Sequence, residues 1–403
     1  MKIAMIGGRD INSVGGIEYW MKHLSRHLAA RGHQVTVYCE SDRDAVREED
    51  GVRVVSVKAP KSRYLCKIFA SWRATRMAVR LGVDLIHYNV WPAALWRFLA
   101  ERKGITTVLM GHGFEWKRSK YNAIQRWILR RCEACAARSA RHIVLCSQEQ
   151  TDWYVRHYGC AGKAVTIPSA VDLPPLDQPS VDLPVVMPET ACSSVSRKGT
   201  GASSISRMGP GSSSVAGRPL TLLYMGRLSP EKNIDTLIRA FASVSRETNA
   251  FSDGPRPRLL LAGSLDRNSA YGRRVLSLVE ESDAVTYLGE VYGEEKERLL
   301  REASLFCLPS SVEGLSVALL EAASHRIPIL ASDIPSNCEV LAEAAFWVKP
   351  EDPASLEAAL RACFARLGEA EIRTLTEAAY ERVAEHFTWE RSAARYESYI
   401  RSL

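Results

Sequence analysis

The sequence predicts an α/β protein: two doubly wound halves facing each other across a cleft. Three observations carry this. Short apolar runs rich in β-branched residues alternate with stretches of helical spacing from Lys2 onward. The alternation stops at a Pro-, Ser- and Gly-rich stretch after Leu173 and resumes near Pro219. The chain, at 403 residues, has room for two such series. With 46% apolar and 25% charged residues, it has an ordinary globular composition. That excludes a collagen, a fully disordered chain and a long coiled coil. No uncharged apolar run nears the roughly 18 residues of a membrane span. The opening MKIAMIGGRD is too short for a signal peptide, so a cytoplasmic protein is expected.

Taken in order, Lys2–Ile6 reads as a strand, and Gly7, Gly8, Gly15 and Gly16 punctuate the loop after it. Ile17, Trp20, Met21, Leu24 and Leu28 form one helical stripe that Gly32 ends, and QVTVYC is the next strand. VRVVSV, a helix through 64–81, DLIHYNV, a helix through 92–102, TTVLMGHG, a helix through 122–138 and HIVLCS complete a first domain, residues 1–173. Residues 174–190 then carry five prolines, and residues 191–217 hold nine Ser and five Gly, with a faint repeat in SSVSRKG and SSISRMG. So little bulk cannot bury enough surface to order a chain, and 174–218 is expected to be a flexible linker. A second domain, 219–385, alternates again from LTLLYMG through IPILASD, and residues 386–403 close with a helix.

Open α/β sheets bind ligands at the carboxyl ends of their strands, and four stretches place chemistry there. In LPSSVEGLSVALLEAASHRIPILASD, Glu313 precedes a helix expected to begin near Leu315, and Glu321 lies about two turns inside it. The first amides of a helix are unsatisfied donors backed by the dipole's positive end, an anion site suited to a diphosphate. Gly314 would let a backbone approach closely. The plainer alternative is an acidic cap and a solvent-facing Glu. In GRLSPEKN, Arg227 and Lys232 flank a tight turn and can both reach one phosphate, unless the turn is simply solvated. Gly15-Gly16 follows the first strand without the GxGxxG spacing of a dinucleotide fingerprint. His112 sits between Gly111 and Gly113 at another strand end.

Together these stretches resemble family 4 of the retaining glycosyltransferases, which have the GT-B fold of two Rossmann-like domains. The resemblance rests on Glu313 and Glu321 in an E-x7-E pattern, on the GRL-x-x-E-K-N turn and on the opening GGIEYWMKHLSRHLAARGHQVTVY, and it covers most of 1–173 and 219–403. HGFEWKRSKYN further resembles the first domain of bacterial rhamnosyltransferase-type members that build surface polysaccharides. The resemblance implies roles. Glu313 would meet the donor sugar's hydroxyls and Glu321 the ribose. Arg227 and Lys232 would neutralise the departing diphosphate, helped by Gly314 and the amides of Leu315, Ser316 and Val317. His112 would stand beside the donor sugar. Gly15 and Gly16 would let the first loop close over the phosphates, and the loop through Glu290 and Val291 would frame the base. The co-substrate would be a nucleoside-diphosphate sugar, with no resident cofactor and no metal. The chain departs from the family at Pro168-Ser169-Ala170-Val171-Asp172, where members often have P-N-G-V-D, and in its long linker.

Other features point elsewhere. Asp42-Arg43-Asp44 matches the DxD of a different, metal-using glycosyltransferase fold, but among Glu48, Glu49 and Asp50 it reads as a solvated acidic loop. Cys132 and Cys135 lack partners for a zinc set. Residues 1–173 carry 28 Lys and Arg against 15 Asp and Glu, and seven of the nine Trp. Residues 61–80 and 117–131 are basic, aromatic and amphipathic. Such helices suit an anionic membrane surface, here the inner face of the plasma membrane, and a lipid-linked saccharide acceptor. The alternative is a core-facing helix with a solvated basic face. No nucleic-acid module is visible. Two further readings remain open: a degenerate transferase serving as a scaffold, and a GT-B nucleotide-sugar epimerase, which would share the fold without the paired motifs.

Overall fold

The computed structural model describes residues 1–13, 15–60, 65–117, 121–175, 220–247, 256–367 and 369–403. The expected linker 174–218 lies, beyond Pro175, outside the described residues. The first half is a sheet of β1 (Lys2–Gly8), β2 (Gln34–Ser41), β3 (Ala45–Glu49), β4 (Val52–Lys58), β5 (Leu85–Tyr88), β6 (Thr106–Gly111), β7 (His142–Leu145) and β8 (Ala164–Thr166). The order is β3-β4-β2-β1-β5-β6-β7-β8. All pairings are parallel except β3 with β4. Helices α1 (Gly16–Ala30), α2 (Leu65–Arg80), α3 (Arg97–Glu101), α4 (Ala123–Ser139) and α5 (Gln148–Tyr158) connect them. The central strands are buried on both faces, as helices on both sides of a parallel sheet require.

Strand β3 corrects an expectation. Asp42-Arg43-Asp44 is the exposed loop expected, but Glu48 and Glu49 beyond it lie on an edge hairpin. Its charges are met locally: Arg47 pairs with Asp10 at 2.9 Å and Glu49 at 3.2 Å. Asp44 accepts from the Lys58 amide at 2.7 Å and from Arg73 at 3.0 Å. Charged residues on an edge strand also discourage pairing with other chains. The helix expected through 92–102 is likewise split. Pro92 opens a 3-10 turn over Trp91–Trp96, and α3 follows.

The second half has a fully parallel sheet of β9 (Thr221–Met225), β10 (Arg258–Ala262), β11 (Val285–Gly289), β12 (Leu305–Leu308), β13 (Ile329–Ser332) and β14 (Phe346–Val348). Its order is β11-β10-β9-β12-β13-β14. It carries α6 (Ile234–Arg246), α7 (Ala270–Glu280), α8 (Gly293–Glu302), α9 (Val317–Ser324), α10 (Pro335–Leu341), α11 (Pro353–Arg366) and α12 (Ala370–His386). Both sheets reverse strand order next to their first strand, between β1 and β5 and between β9 and β12. The crevice of a doubly wound sheet opens at that switch point.

The last helix, α13 (Trp389–Arg401), belongs spatially to the first half. Trp389, Ala393, Tyr396 and Ile400 are buried in one core with Trp20, Leu24 and Met110. The Tyr396 hydroxyl lies 2.7 Å from His87 Nδ1. The chain therefore crosses between halves at two adjacent points. Val171 N donates to Phe387 O at 2.9 Å, and Trp389 N donates to Val171 O at 3.2 Å. Asp172 ties this crossing to α1 through His23 at 3.1 Å and His27 at 3.4 Å. Ala170 is not among the non-glycine residues with positive φ, so the departure from glycine at this turn carries no backbone strain.

Candidate active site

In the second half, two loops leave the carboxyl ends of β9 and β12 at the switch point, and side chains sew them together. The first runs from Gly226 through a 3-10 turn, Pro230–Lys232, to Asn233, whose backbone is left-handed. Asn233 Nδ2 donates to Pro309 O at 2.9 Å, and Ser311 N donates to Glu231 O at 2.9 Å. Lys232 Nζ donates to Glu313 Oε1, and both side chains are largely buried. Arg227, on the same turn, is exposed, while its carbonyl accepts from the Tyr224 hydroxyl at 2.8 Å. A fixed lysine–glutamate pair thus stands beside a free-reaching guanidinium.

Helix α9 starts at Val317, later than expected, because the Ser316 hydroxyl caps it by accepting from Leu319 N at 3.4 Å. Glu321 is therefore about one turn inside the helix and not two, and Leu315 lies before it. Leu315 instead packs against the apolar cores of both halves. Glu321 accepts from Lys296 Nζ of α8 at 2.8 Å. Tyr19 of α1, in the first half, stands within electrostatic reach of it. Burial, and then the negative charge of Glu321, hold the Tyr19 phenol above its ordinary pKa.

The first half meets the loop before α9 backbone to backbone at Gly314. His112 and Gly113 follow β6, and their backbone touches that of Gly314. A Cβ at Gly314 would lie 2.8 Å from the His112 carbonyl oxygen and 3.2 Å from Gly113 Cα. Gly113 has φ +125°, where side chains are disfavoured. Two glycines are thus what lets His112 and Glu313 be presented from opposite halves. The His112 ring packs edge-on to Trp20, with centroids 5.7 Å apart.

The remaining expected residues fall less evenly. Gly15 caps α1 and Gly16 begins it. The loop before them closes on the chain's own carboxylate, since Glu18 Oε1 accepts from Arg9 N and Nε, each at 3.2 Å. Val291 is buried in the second core, so only its backbone can face a base, while Glu290 is exposed. Tyr19, Lys296, Cys146, Gln150 and Glu339 escape the sequence reading, because each is placed by a partner far away in the chain. Among the described residues no group of three or more His, Cys, Asp or Glu is arranged to hold a metal ion, and no helix is long and apolar enough to cross a membrane.

The basic helices show one face each to the outside. On α4, Ile124, Trp127 and Ile128 are 71%, 60% and 47% exposed. Arg131 lies over the Trp127 ring at 5.4 Å and Arg130 over Trp116 at 5.1 Å. On α2 and its neighbours, Phe69, Leu95 and Phe98 are exposed, with Arg76 over Trp72 at 4.9 Å and Arg102 over Phe98 at 5.3 Å. Residues 61–64 and 118–120 of these stretches lie outside the described residues.

Comparison with known proteins gives this arrangement a family. The profile described as Glycosyltransferase Family 4 matches residues 14–174, and that of Glycosyl transferases group 1 matches residues 211–374. An O-antigen chain mannosyltransferase of Salmonella typhimurium is 31% identical over 139 residues, 34% of this chain. That match and three like it span only 33% to 42% of the relatives' own length. Alpha-monoglucosyldiacylglycerol synthase of Streptococcus pneumoniae is 22% identical over 96% of this chain and 83% of its own. Among solved structures, sucrose-phosphate synthase from Thermosynechococcus elongatus superposes with a TM-score of 0.76 at 22% identity, covering 100% of this chain and 98% of that one. Anabaena Alr3699/HepE in complex with UDP-glucose gives 0.69 at 15% identity, covering all of both chains.

Proposed function

The chain belongs to the GT-B glycosyltransferases, its first half to family 4 and its second to group 1, and on that footing we propose that it transfers a sugar, with retention, from a nucleoside-diphosphate sugar to a lipid-linked saccharide acceptor in surface polysaccharide synthesis. The observation that carries this reading is the pair of sewn loops at the second switch point. They set Lys232 against Glu313 beside Arg227 and meet the His112 loop from the other half.

The chemistry follows from charge. The bond between the sugar's C1 and the diphosphate oxygen breaks, and the oxygen keeps the electron pair. The acceptor hydroxyl attacks C1 from the same face, and its proton passes to the departing diphosphate. Negative charge therefore grows on the phosphates. Arg227, Lys232 and the first amides of α9 supply positive ends for it, and one preorganised donor is worth about 3–4 kcal/mol. These groups take the role a metal ion plays in other transferases. Glu313, paired with Lys232, accepts from the sugar's hydroxyls, and Glu321 accepts from the ribose.

The acceptor reading rests on the exposed apolar and cationic faces of α2 and α4. Aromatic rings carrying guanidinium groups suit the headgroup layer of an anionic bilayer and would bring the cleft to a lipid-borne acceptor.

The test is a panel of UDP-, GDP-, dTDP-, CDP- and ADP-sugars, dTDP-rhamnose among them, incubated with membrane extract and chelator. The reading expects release of one nucleoside diphosphate and a product whose anomeric configuration matches the donor's by NMR. No release with any donor would favour a scaffold, and inverted product would overturn the retaining mechanism.

A further inference from the structure

We propose that Cys146 and Gln150 are positioning residues that fix His112 in the tautomer with its proton on Nδ1, which leaves Nε2 as the nitrogen that accepts a hydroxyl of the transferred sugar. Cys146 follows β7 and is buried. Its sulfur lies 3.3 Å from Gly111 O and 3.6 Å from His112 Nδ1. A carbonyl oxygen only accepts, so the single thiol hydrogen points to Gly111. Burial supports this, because it pushes the thiol up to about 12, and the sulfur therefore keeps its hydrogen near neutral pH. With that hydrogen committed, the sulfur faces His112 as an acceptor. The Nδ1 nitrogen must then be the donor. In the other tautomer, lone pair would face lone pair.

Gln150 holds the turn on both sides of His112. With its amide oriented to satisfy both ends, the nitrogen donates to Gly111 O at 3.1 Å and the oxygen accepts from Gly113 N at 3.1 Å. The side chain is buried, so no water competes for these bonds. His87, the nearest imidazole, is pushed down to about 3 by burial and stays neutral beside His112. Trp20 packs against both rings and fixes their planes. The sugar-facing part of the inference rests on the reading of His112 as the group beside the donor sugar. The tautomer part does not.

The experiment is long-range proton–nitrogen NMR on the full chain labelled with nitrogen-15 at histidine, with the His112 signals assigned by their loss in His112→Gln. The wild type should show the Nδ1-protonated pattern. Cys146→Ser, whose hydroxyl offers the same one donor and an acceptor, should retain it. Cys146→Ala, folded by its melting curve, should shift His112 toward the Nε2-protonated form. An Nε2-protonated wild type, or an unchanged pattern in Cys146→Ala, would overturn the proposal. If the tautomer stands but His112→Gln transfers sugar at the wild-type rate, the sugar contact fails and the reading of His112 fails with it.

Discussion

Lys232 faces two anions in turn, Glu313 in the structure described here and a phosphate in the proposed complex. Lys232→Met leaves a largely buried carboxylate without its cation, a loss of about 1–3 kcal/mol in stability. It should also weaken nucleoside-diphosphate binding by about 1.5–3 kcal/mol, roughly ten- to a hundredfold in Kd. Calorimetric titration reads the second effect and a melting curve the first. Unchanged affinity would remove Lys232 from the phosphate site. His87 makes a separate prediction. Burial lowers its pKa to about 3 from 6.5. The unfolded chain binds that proton below about pH 6.5, and the folded chain only near 3. Stability is therefore full above the higher value and falls as pH drops through the window. The melting temperature should decline across it in wild type and less in His87→Gln, and parallel curves would contradict this. The spacing of Glu313 with Glu321 and of Arg227 with Lys232 was legible in the sequence because each pair lies within one short stretch of chain. Their partners were not. Lys232 meets Glu313 and Lys296 meets Glu321 only because the strand order brings β9 beside β12 and α8 beside α9.

At the scale of elements, the contact of the His112 loop with the α9 loop decides whether the two halves act together. Gly314→Ala puts a methyl against His112 O and Gly113. A shift of about 1 Å at a reacting centre costs roughly a hundredfold in rate, so turnover should fall by about that much while nucleotide affinity in the second half changes little. A fall in affinity alone would mean that the contact serves binding and not closure. Helix α5 is tied to the second half as well, since both oxygens of Glu339 accept from Gln148 N at 2.8 and 2.9 Å. On α4, Trp127→Ala with Ile124→Ala should abolish binding to vesicles of anionic phosphatidylglycerol. Wild-type binding to neutral phosphatidylcholine should already be weak, and equal binding to both lipids would remove charge from the argument. Long elements such as α1 and β4 were plain from their apolar periodicity. Strand β3 was hidden because AVREE spends most of its length on charges, and β14 because three residues show no period. Helices α11 and α12 bury largely single positions between solvated ones, too thin a stripe to read.

The whole molecule is two sheets whose switch-point loops meet at Gly113 and Gly314, with a last helix returned to the first half. Two alternating series separated by a compositional break made that architecture readable, since each series must bury both faces of its own sheet. The meeting of the halves was not readable, because it depends on Gly113 against Gly314 and on Leu315 reaching both cores. The chain crosses between the halves at two adjacent points, bridged at Val171 and Thr388 and fastened to α1 by Asp172. The proposed function stands on a nucleoside diphosphate held by Arg227, Lys232 and the start of α9. The most direct test is a thermal-shift screen of the purified chain against UDP, GDP, dTDP, CDP and ADP, with chelator and then with Mg²⁺. Ligand at about 100 times its Kd adds about 2.7 kcal/mol to stability. Tm should rise clearly with one base in chelator, and the rise should be lost in Arg227→Ala. No rise with any nucleotide, or a rise that Arg227→Ala leaves intact, would contradict it.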